Sequence, residues 1–257
     1  MFETIWAIDP VWGQHFIRQM AAPTPANYGG RGAPVVMEQR PTRNNKSVAI
    51  IRANGVLTKG SDWYGSTSSR TLSEAVRNAA GDNSVTGIVL SVYSPGGMIA
   101  GLDELLSSVR AASKMKPVVG YAEDMALSAG YEIMTPADAI YANNTRAFVG
   151  SIGTLLPIAD TSGAAEKSGA KMVNFASGAL KSIGGDGGIS PEQAAHIQSI
   201  VDKLGAAFVD TVRKARSLSP TQVDRVKTGA AFVADEAKEL KLIDGFKSLD
   251  KIISELA

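Results

Sequence analysis

The sequence predicts an α/β protein with a mainly parallel core sheet flanked by helices. Three observations lead to this fold class. Apolar strand-like runs alternate with helical patterns along the chain, which is typical of strand–helix–strand units. One of these runs, residues 87–93, is apolar almost throughout, as expected for a buried strand. A long amphipathic pattern at residues 191–216 predicts the longest helix.

The individual elements follow from hydrophobic period and from turn residues. Strands are predicted at residues 48–51, 87–93, 117–121, 139–142 and 171–175. Helices are predicted at residues 72–80, 99–114, 126–136 and 191–216, with a shorter one from Pro220. The longest helix has the clearest start, because Ser190 is a good N-cap, Pro191 fits the first turn and Gln193 completes a capping box.

Composition limits the possible functions. The chain has 257 residues, 44% of them hydrophobic and 20% charged, which is ordinary for a globular protein. Its formal net charge of +1 argues against nucleic acid or an anionic membrane as the main partner. The chain contains no cysteine, so disulfides, thiolate metal sites and thiol catalysis are excluded.

The start of the chain does not have the composition of a signal peptide. Glu3 and Asp9 are acidic, and neither a basic region nor a continuous apolar region follows the first methionine. No stretch approaches the roughly 18 apolar residues that a membrane span needs. We therefore expect a protein of the cytoplasm without a membrane anchor.

Residues 1–45 differ in composition from the rest. Residues 1–20 predict a short amphipathic segment with Trp6, Trp12, Phe16 and Ile17 on its apolar side. Residues 21–46 are rich in proline and glycine, which is typical of a linker. We place the domain boundary near residue 45, with the main domain at residues 46–257.

Ser128 is the first candidate for chemistry. It lies among small residues, with Ala126, Ala129 and Gly130 close in sequence, where a substrate backbone can approach. Upstream, Ser94-Pro95-Gly96-Gly97 follows a buried strand and precedes a helix, so its amides would point into the crevice at the strand ends. Together the two segments offer a nucleophile and an oxyanion site for acyl transfer. The alternatives are a helix N-cap for the serine and a plain turn or a phosphate cradle for the glycines, but no phosphate-loop signature is present.

A base for Ser128 is harder to find. The histidines are His15 and His196, and neither is near these segments in sequence. Lys181 is the natural candidate, since burial among apolar groups such as Leu180 and Ile183 would favour the neutral amine that accepts a proton. The alternative is an exposed lysine in a loop.

Four short motifs in order carry a resemblance to a known family. They are Ser94-Pro95-Gly96-Gly97, Leu127-Ser128-Ala129-Gly130-Tyr131, and residues 149–153 and 177–182. Over residues 45–250 the chain resembles peptidase family S49, the signal peptide peptidase A family. The resemblance implies a Clp-protease/crotonase-like fold. It extends to the tail from Thr228 to Gly245, which is similar to the C-terminal signature of the family.

The resemblance assigns roles to residues of this chain. Ser128 matches the nucleophile, Lys181 the general base, and Ser151 the serine that orients the lysine. Gly97 matches the oxyanion-hole glycine, and the amide of Ala129 would be the second donor. Two positions depart mildly from the family pattern: Ala129 stands where glycine is frequent, and Thr154 where valine is common. The related Clp proteases use a histidine soon after the serine, and residues 148–157 contain none, which favours a Ser-Lys dyad.

The resemblance also implies a function. It predicts a serine endopeptidase without cofactor or metal that acts on peptides or unfolded protein segments and assembles into a homo-oligomeric ring. The length and the Pro/Gly-rich start resemble phage-encoded members, which cut scaffold protein during head maturation. The alternatives are a soluble peptidase that degrades signal peptides and other peptides, an acyl-CoA-binding crotonase relative, and an inactive structural relative.

Overall fold

The computed structural model describes residues 6–8, 37–42, 45–60, 66–158, 162–169, 173, 175–181 and 188–257. Its larger sheet has a parallel centre with antiparallel strands at both ends. In spatial order its strands are β11 (Ala231–Val233), β10 (Phe148–Gly150), β8 (Val118–Leu127), β6 (Val85–Ser94), β3 (Ser47–Asn54) and β2 (Met37–Pro41). The parallel, helix-flanked architecture confirms the fold class predicted from the sequence.

Strand β8 is central to the site, because two strands share one of its edges. Its first half pairs with β9 (Ala139–Ala142), and β9 pairs in turn with β12 (Gly245–Phe246). Its last three residues pair with β10 instead. The ends of β8 and β10 therefore lie side by side at the carboxyl edge of the sheet.

A smaller sheet lies next to this edge. Its strands in order are β1 (Trp6–Ile8), β7 (Gly96–Met98), β4 (Leu57–Thr58) and β5 (Thr67–Ser68). Only β1 runs antiparallel to its neighbour, whereas β4 pairs parallel with both β5 and β7. Since β7 follows β6 after a single residue, the two sheets are joined at the glycine turn.

The helices cover both faces of the larger sheet. They are α1 (Ser69–Gly81), α2 (Leu102–Ser113), α3 (Ala129–Glu132), α4 (Ser162–Lys167), α5 (Pro191–Arg216), α6 (Pro220–Val226), α7 (Ala234–Glu239) and α8 (Leu249–Leu256). The main core lies on one face and takes in side chains of α1, α2 and α5. On the other face, Ile252 of α8 packs against Val48, Ile50, Val89 and Tyr121. None of the helices in the described ranges is both long and apolar enough to cross a membrane.

Most predicted elements are confirmed, and α5 has the predicted bounds and capping box. The prediction of a helix at residues 126–136 was wrong at its start. The strand predicted at residues 117–121 continues to Leu127, because Met125–Leu127 pair with β10, and only the short α3 follows. The predicted strand at residues 171–175 lies largely outside the described residues.

The N-terminal region contributes strands to both sheets. Met37–Pro41, within the predicted linker, pairs antiparallel with β3. Trp6–Ile8, within the predicted amphipathic segment, pairs with β7. The side chains of Trp12, Phe16 and Ile17 lie outside the described residues. The domain boundary near residue 45 stays a prediction.

Candidate active site

Ser128 lies on a sharp turn between strand β8 and helix α3. Its backbone has φ 53° and ψ −124°, a region that residues other than glycine rarely adopt. The turn is held on both sides. The Ser128 amide donates to the Gly150 carbonyl oxygen at 2.7 Å, and the Ser128 carbonyl oxygen accepts from the amides of Tyr131 and Glu132 at 2.9 Å each. A strained backbone that its surroundings enforce is frequent at functional sites.

The side chain of Ser128 does not cap the helix. It makes no hydrogen bond to the first turn of α3, so the N-cap alternative was wrong. Its Oγ instead donates to the Gly153 carbonyl oxygen at 3.5 Å, the long limit of a hydrogen bond. The residue is 1% exposed. The hydroxyl is therefore buried at a strand end and only weakly engaged.

Ser151 lies beside Ser128 because their strands are parallel neighbours. Gly150, the last residue of β10, pairs with Leu127, the last residue of β8, so the two serines follow adjacent strand ends. Ser151 also has a positive φ, 53°, and its amide donates to the Ala230 carbonyl oxygen at 2.8 Å. It is 4% exposed. The sheet thus brings together two of the residues that the sequence singled out.

The glycine turn approaches Ser128 through Gly96. A Cβ on Gly96 would lie 2.9 Å from the Ser128 Cβ, and its φ of 107° also favours glycine. The Gly96 amide donates to Ser94 Oγ at 3.1 Å. A Cβ on Gly97 would instead lie 2.0 Å from the Leu57 carbonyl oxygen. Sequence reasoning did not single out Gly96, although the Pro-Gly-Gly motif contained it, and the oxyanion-hole role of Gly97 stays a prediction.

Ala129 is fully buried and is the first residue of α3. Amides of the first helical turn have no partner within their helix, so the Ala129 amide is available to a group near Ser128. The short α3 therefore places one backbone donor directly after the candidate nucleophile.

Ser128 Oγ contacts the Gly153 carbonyl oxygen and makes no hydrogen bond to Lys181 among the described residues. Lys181 lies in a turn in which its amide donates to the Gly178 carbonyl oxygen at 3.0 Å, and its side chain is exposed. Leu180 is 36% exposed, so it does not supply the buried apolar surroundings expected for a neutral lysine. Ile183 lies outside the described residues. The predicted burial of Lys181 is therefore absent from the described part of the chain.

A cleft of about 700 Å³ lies beside the segment that follows Ser151. It lies between α5 and the backbone of Ile152, Gly153 and Thr154, and Gly153 is the residue whose carbonyl oxygen accepts from Ser128 Oγ. Thr154 closes one side by donating from Oγ1 to the Val201 carbonyl oxygen of α5 at 2.9 Å. Ser128 does not line this cleft and is connected to it through the Gly153 carbonyl oxygen.

Glu132, the last residue of α3, is a buried carboxyl. It is 8% exposed, and burial raises its pKa from 4.5 to about 8, with the nearby carboxylate of Asp103 acting in the same direction. The folded protein therefore keeps a proton at neutral pH that the unfolded chain releases. Stability from this group is present at low pH and is lost as the pH rises from 4.5 to about 8.

Glu132→Gln is expected to flatten the dependence of unfolding free energy on pH. In the native chain this group lowers that energy by up to about 1.4 kcal/mol per pH unit over the stated interval. Glutamine has no proton to lose, so the difference between the variants should grow with pH. Urea unfolding at pH 5, 6.5 and 8 measures it, with the exposed Glu74→Gln as control. Parallel curves for the native chain and Glu132→Gln would contradict the burial argument.

Comparisons with known proteins identify the family of this chain. Residues 110–257 match the model of "Peptidase family S49". The chain is 30% identical over 220 residues to Protease 4 of Salmonella typhi, which covers 84% of this chain and 35% of that protein. It is 28% identical over 241 residues to capsid assembly protease C of Escherichia phage lambda, covering 92% of this chain and 54% of that protein. The chain thus spans about a third to a half of the length of these relatives.

Two solved structures that match this chain share little sequence identity with it. A membrane-bound stomatin-specific protease has a TM-score of 0.45 and 13% identity, over 79% of this chain and 80% of that one. An enoyl-CoA hydratase/carnithine racemase from Magnetospirillum magneticum has a TM-score of 0.43 and 15% identity, over 85% and 73%.

The family match covers more than half of the chain and includes Ser128, Ser151 and the segment of Lys181. Three of the four sequence motifs and the two adjacent strand ends lie within the matched residues 110–257. The chain belongs to peptidase family S49.

Proposed function

We propose that the chain is a serine endopeptidase with a Ser-Lys dyad that cuts flexible or unfolded protein segments. The observation that carries the proposal is the geometry of Ser128. Its hydroxyl lies on an enforced strand–helix turn, next to the glycine turn, and contacts Gly153, which lines a cleft. This combination is what a nucleophile requires to meet a peptide carbonyl.

The proposed reaction proceeds by acyl transfer. Ser128 Oγ attacks the carbonyl carbon of the substrate while its proton passes to the neutral amine of Lys181. The oxygen of the tetrahedral intermediate accepts hydrogen bonds from the amides of Ala129 and Gly97. Lys181 then gives the proton to the departing amine, and water hydrolyses the resulting ester. Ser151 is a positioning residue that holds the lysine amine towards Ser128.

The exposed position of Lys181 supports a site completed between subunits of a ring. Within one chain, the side chain of the proposed base is exposed. The buried residues of α5, Phe208 and Val212, both lie in its second half. The rest of the chain therefore covers the first half less well. Ile197, Val201 and Leu204 of the first half are only partly buried. A neighbouring subunit on this side would cover the apolar stripe and bring a lysine to Ser128.

Mixing two inactive variants is expected to restore activity if subunits share the dyad. Ser128→Ala and Lys181→Met should each be inactive alone against an unfolded protein such as reduced, alkylated lactalbumin. In a mixed ring, some sites contain Ser128 from one chain and Lys181 from another. At equal proportions we expect about a quarter of the native rate if each site pairs residues from two randomly mixed chains.

Subunit exchange is followed separately by mass spectrometry of isotope-labelled rings. Exchange without recovery would show that both residues come from one chain, and a monomer with full activity by light scattering would exclude the ring. Mapping the cut sites in the same digest gives the residues preferred on each side of the cut bond.

We further propose that the substrate is a phage scaffold or capsid protein during head maturation, in a host cell. The relative named capsid assembly protease C covers nearly the whole chain, which supports this assignment. The alternative is a general peptidase of the cytoplasm that degrades signal peptides and other peptides. Cuts confined to a few sites of one scaffold protein favour the first, and cuts throughout any unfolded protein favour the second.

A further inference from the structure

Strand β1 pairs with the edge of β7 that faces away from β4. The two strands are antiparallel, with Trp6 opposite Met98, Ala7 opposite Gly97 and Ile8 opposite Gly96. In the smaller sheet β7 has β4 on its other side, so β1 occupies its one remaining edge. An open strand edge presents unpaired amides and carbonyls, and an extended peptide can add to it as a further strand.

This edge passes directly beside Ser128. A Cβ on Gly96 would lie 2.2 Å from the Ala7 carbonyl oxygen, 2.9 Å from the Ile8 Cα and 2.9 Å from the Ser128 Cβ. The peptide bond between Ala7 and Ile8 and the side chain of Ser128 therefore meet on the same face of Gly96. Any extended segment that pairs with β7 in this register presents a peptide bond next to the candidate nucleophile.

Ala7 and Ile8 of β1 are both buried, and each environment suits a particular type of side chain. Ala7 is 1% exposed and belongs to the main core, so a larger side chain at this place would force the core to repack. Ile8 is 3% exposed and packs in a separate apolar cluster with Val56, Met98 and Leu155. Burying such an aliphatic side chain contributes about 1.5–3 kcal/mol. The position therefore fits a small residue followed by an aliphatic one.

We propose that Trp6–Ile8 occupies the strand position of a substrate peptide, so that the chain's own β1 competes with substrate. This inference rests on the proposed peptidase function. An incoming peptide with a small residue followed by an aliphatic residue pairs with β7 in the same register after β1 has left. Competition of this kind raises the KM for the peptide and leaves kcat unchanged.

The absence of cysteine in the native chain allows a reversible lock of β1 on β7. In the full chain, Trp6→Cys and Met98→Cys place thiols at directly opposed positions of an antiparallel pair. Their Cα atoms are expected about 4.5–5.5 Å apart, within the range of about 4.4–6.8 Å that a disulfide spans. Oxidation should form the disulfide and lower cleavage of an internally quenched Ala-Ile peptide at least tenfold, and reductant should restore it. Each single cysteine variant serves as control and should not respond to oxidant.

Two outcomes overturn the inference. One is a locked protein, verified by mass spectrometry, that keeps its full rate. The other is a folded double variant that neither oxidises nor accepts a short bis-thiol cross-linker, because β1 is then not seated on β7. If the reduced protein cleaves nothing, the peptidase proposal fails separately. Binding of the labelled peptide to the protein carrying Ser128→Ala then decides this inference, since the lock should abolish that binding whether or not cleavage occurs.

Releasing β1 tests the same inference in the opposite direction. Ile8→Asp places a charge in the cluster of Val56, Met98 and Leu155, which favours departure of the strand. We expect KM for the Ala-Ile peptide to fall at least fivefold with kcat unchanged, whereas Ile8→Val should keep KM high. An unchanged KM in a folded Ile8→Asp variant contradicts the competition, and if that variant does not fold, the disulfide lock decides.

Discussion

Ser128→Ala is expected to lower cleavage of an unfolded protein by at least about a thousandfold, because the variant has no hydroxyl to form the acyl intermediate. The fold should persist. The turn is held by backbone hydrogen bonds to Gly150, Tyr131 and Glu132, none of which uses the side chain. The Oγ contact that is lost, to the Gly153 carbonyl oxygen at 3.5 Å, is weak. Initial rates and a thermal unfolding curve measure the two quantities.

Ser217→Ala is the matched control for this variant. Ser217 also has a positive φ, 50°, although its ψ is 47° and that of Ser128 is −124°, so the same change of side chain is made at another positive-φ serine. It is exposed and ends α5, away from the strand ends that carry Ser128 and Ser151. Native activity in Ser217→Ala and none in Ser128→Ala would locate the effect in the hydroxyl. Cleavage at the native rate by purified Ser128→Ala would remove this serine from the mechanism.

Lys181→Met is expected to lose activity nearly as completely as Ser128→Ala. Methionine keeps much of the length of the side chain and removes the amine, and members of one catalytic unit do not contribute additively. Because Lys181 is exposed within the chain, the substitution should leave its thermal unfolding unchanged. The exposed Lys114→Met is the control for loss of a lysine.

Lys181→Arg separates a base from a simple positive charge. Arginine stays charged and cannot accept a proton, so we expect it to be as inactive as methionine. A rate within about tenfold of the native enzyme for Lys181→Arg would mean that charge alone is required there. Full activity in Lys181→Met would remove the lysine from the proposed dyad.

Helices and strands were predicted well where the residues that determine them are neighbours in sequence. The capping box at Ser190 and Gln193 fixed the start of α5, because the bonds that form it lie within four residues. The end of β8 was predicted six residues too early, at Tyr121, because Met125–Leu127 join the sheet by pairing with β10, which is remote in sequence. The strand Trp6–Ile8 was missed for the same reason, because its partner β7 comes about ninety residues later. Met37–Pro41 was missed although its partner β3 is local, because the prolines and glycines around it indicated a linker.

The site shows the same division between local and tertiary information. The small residues around Ser128 indicated a place for chemistry, and the family resemblance supplied its proposed role. The contact of Gly96 with Ser128 joins segments about thirty residues apart, so the motif alone did not distinguish Gly96 from Gly97. Burial of Lys181 depends on what packs against residues 175–181, and within the described residues these are exposed. No local pattern of residue types contains that information.

Covalent labelling shows directly whether Ser128 is the nucleophile. A peptidyl phosphonate forms a stable bond only with a serine that is activated as a nucleophile. After incubation and digestion, mass spectrometry should find the adduct on the peptide that contains Ser128, with loss of activity in proportion to labelling. Labelling should be strongly reduced in Lys181→Met. An adduct on another residue that accounts for the lost activity, or full activity after complete labelling of Ser128, would contradict the account.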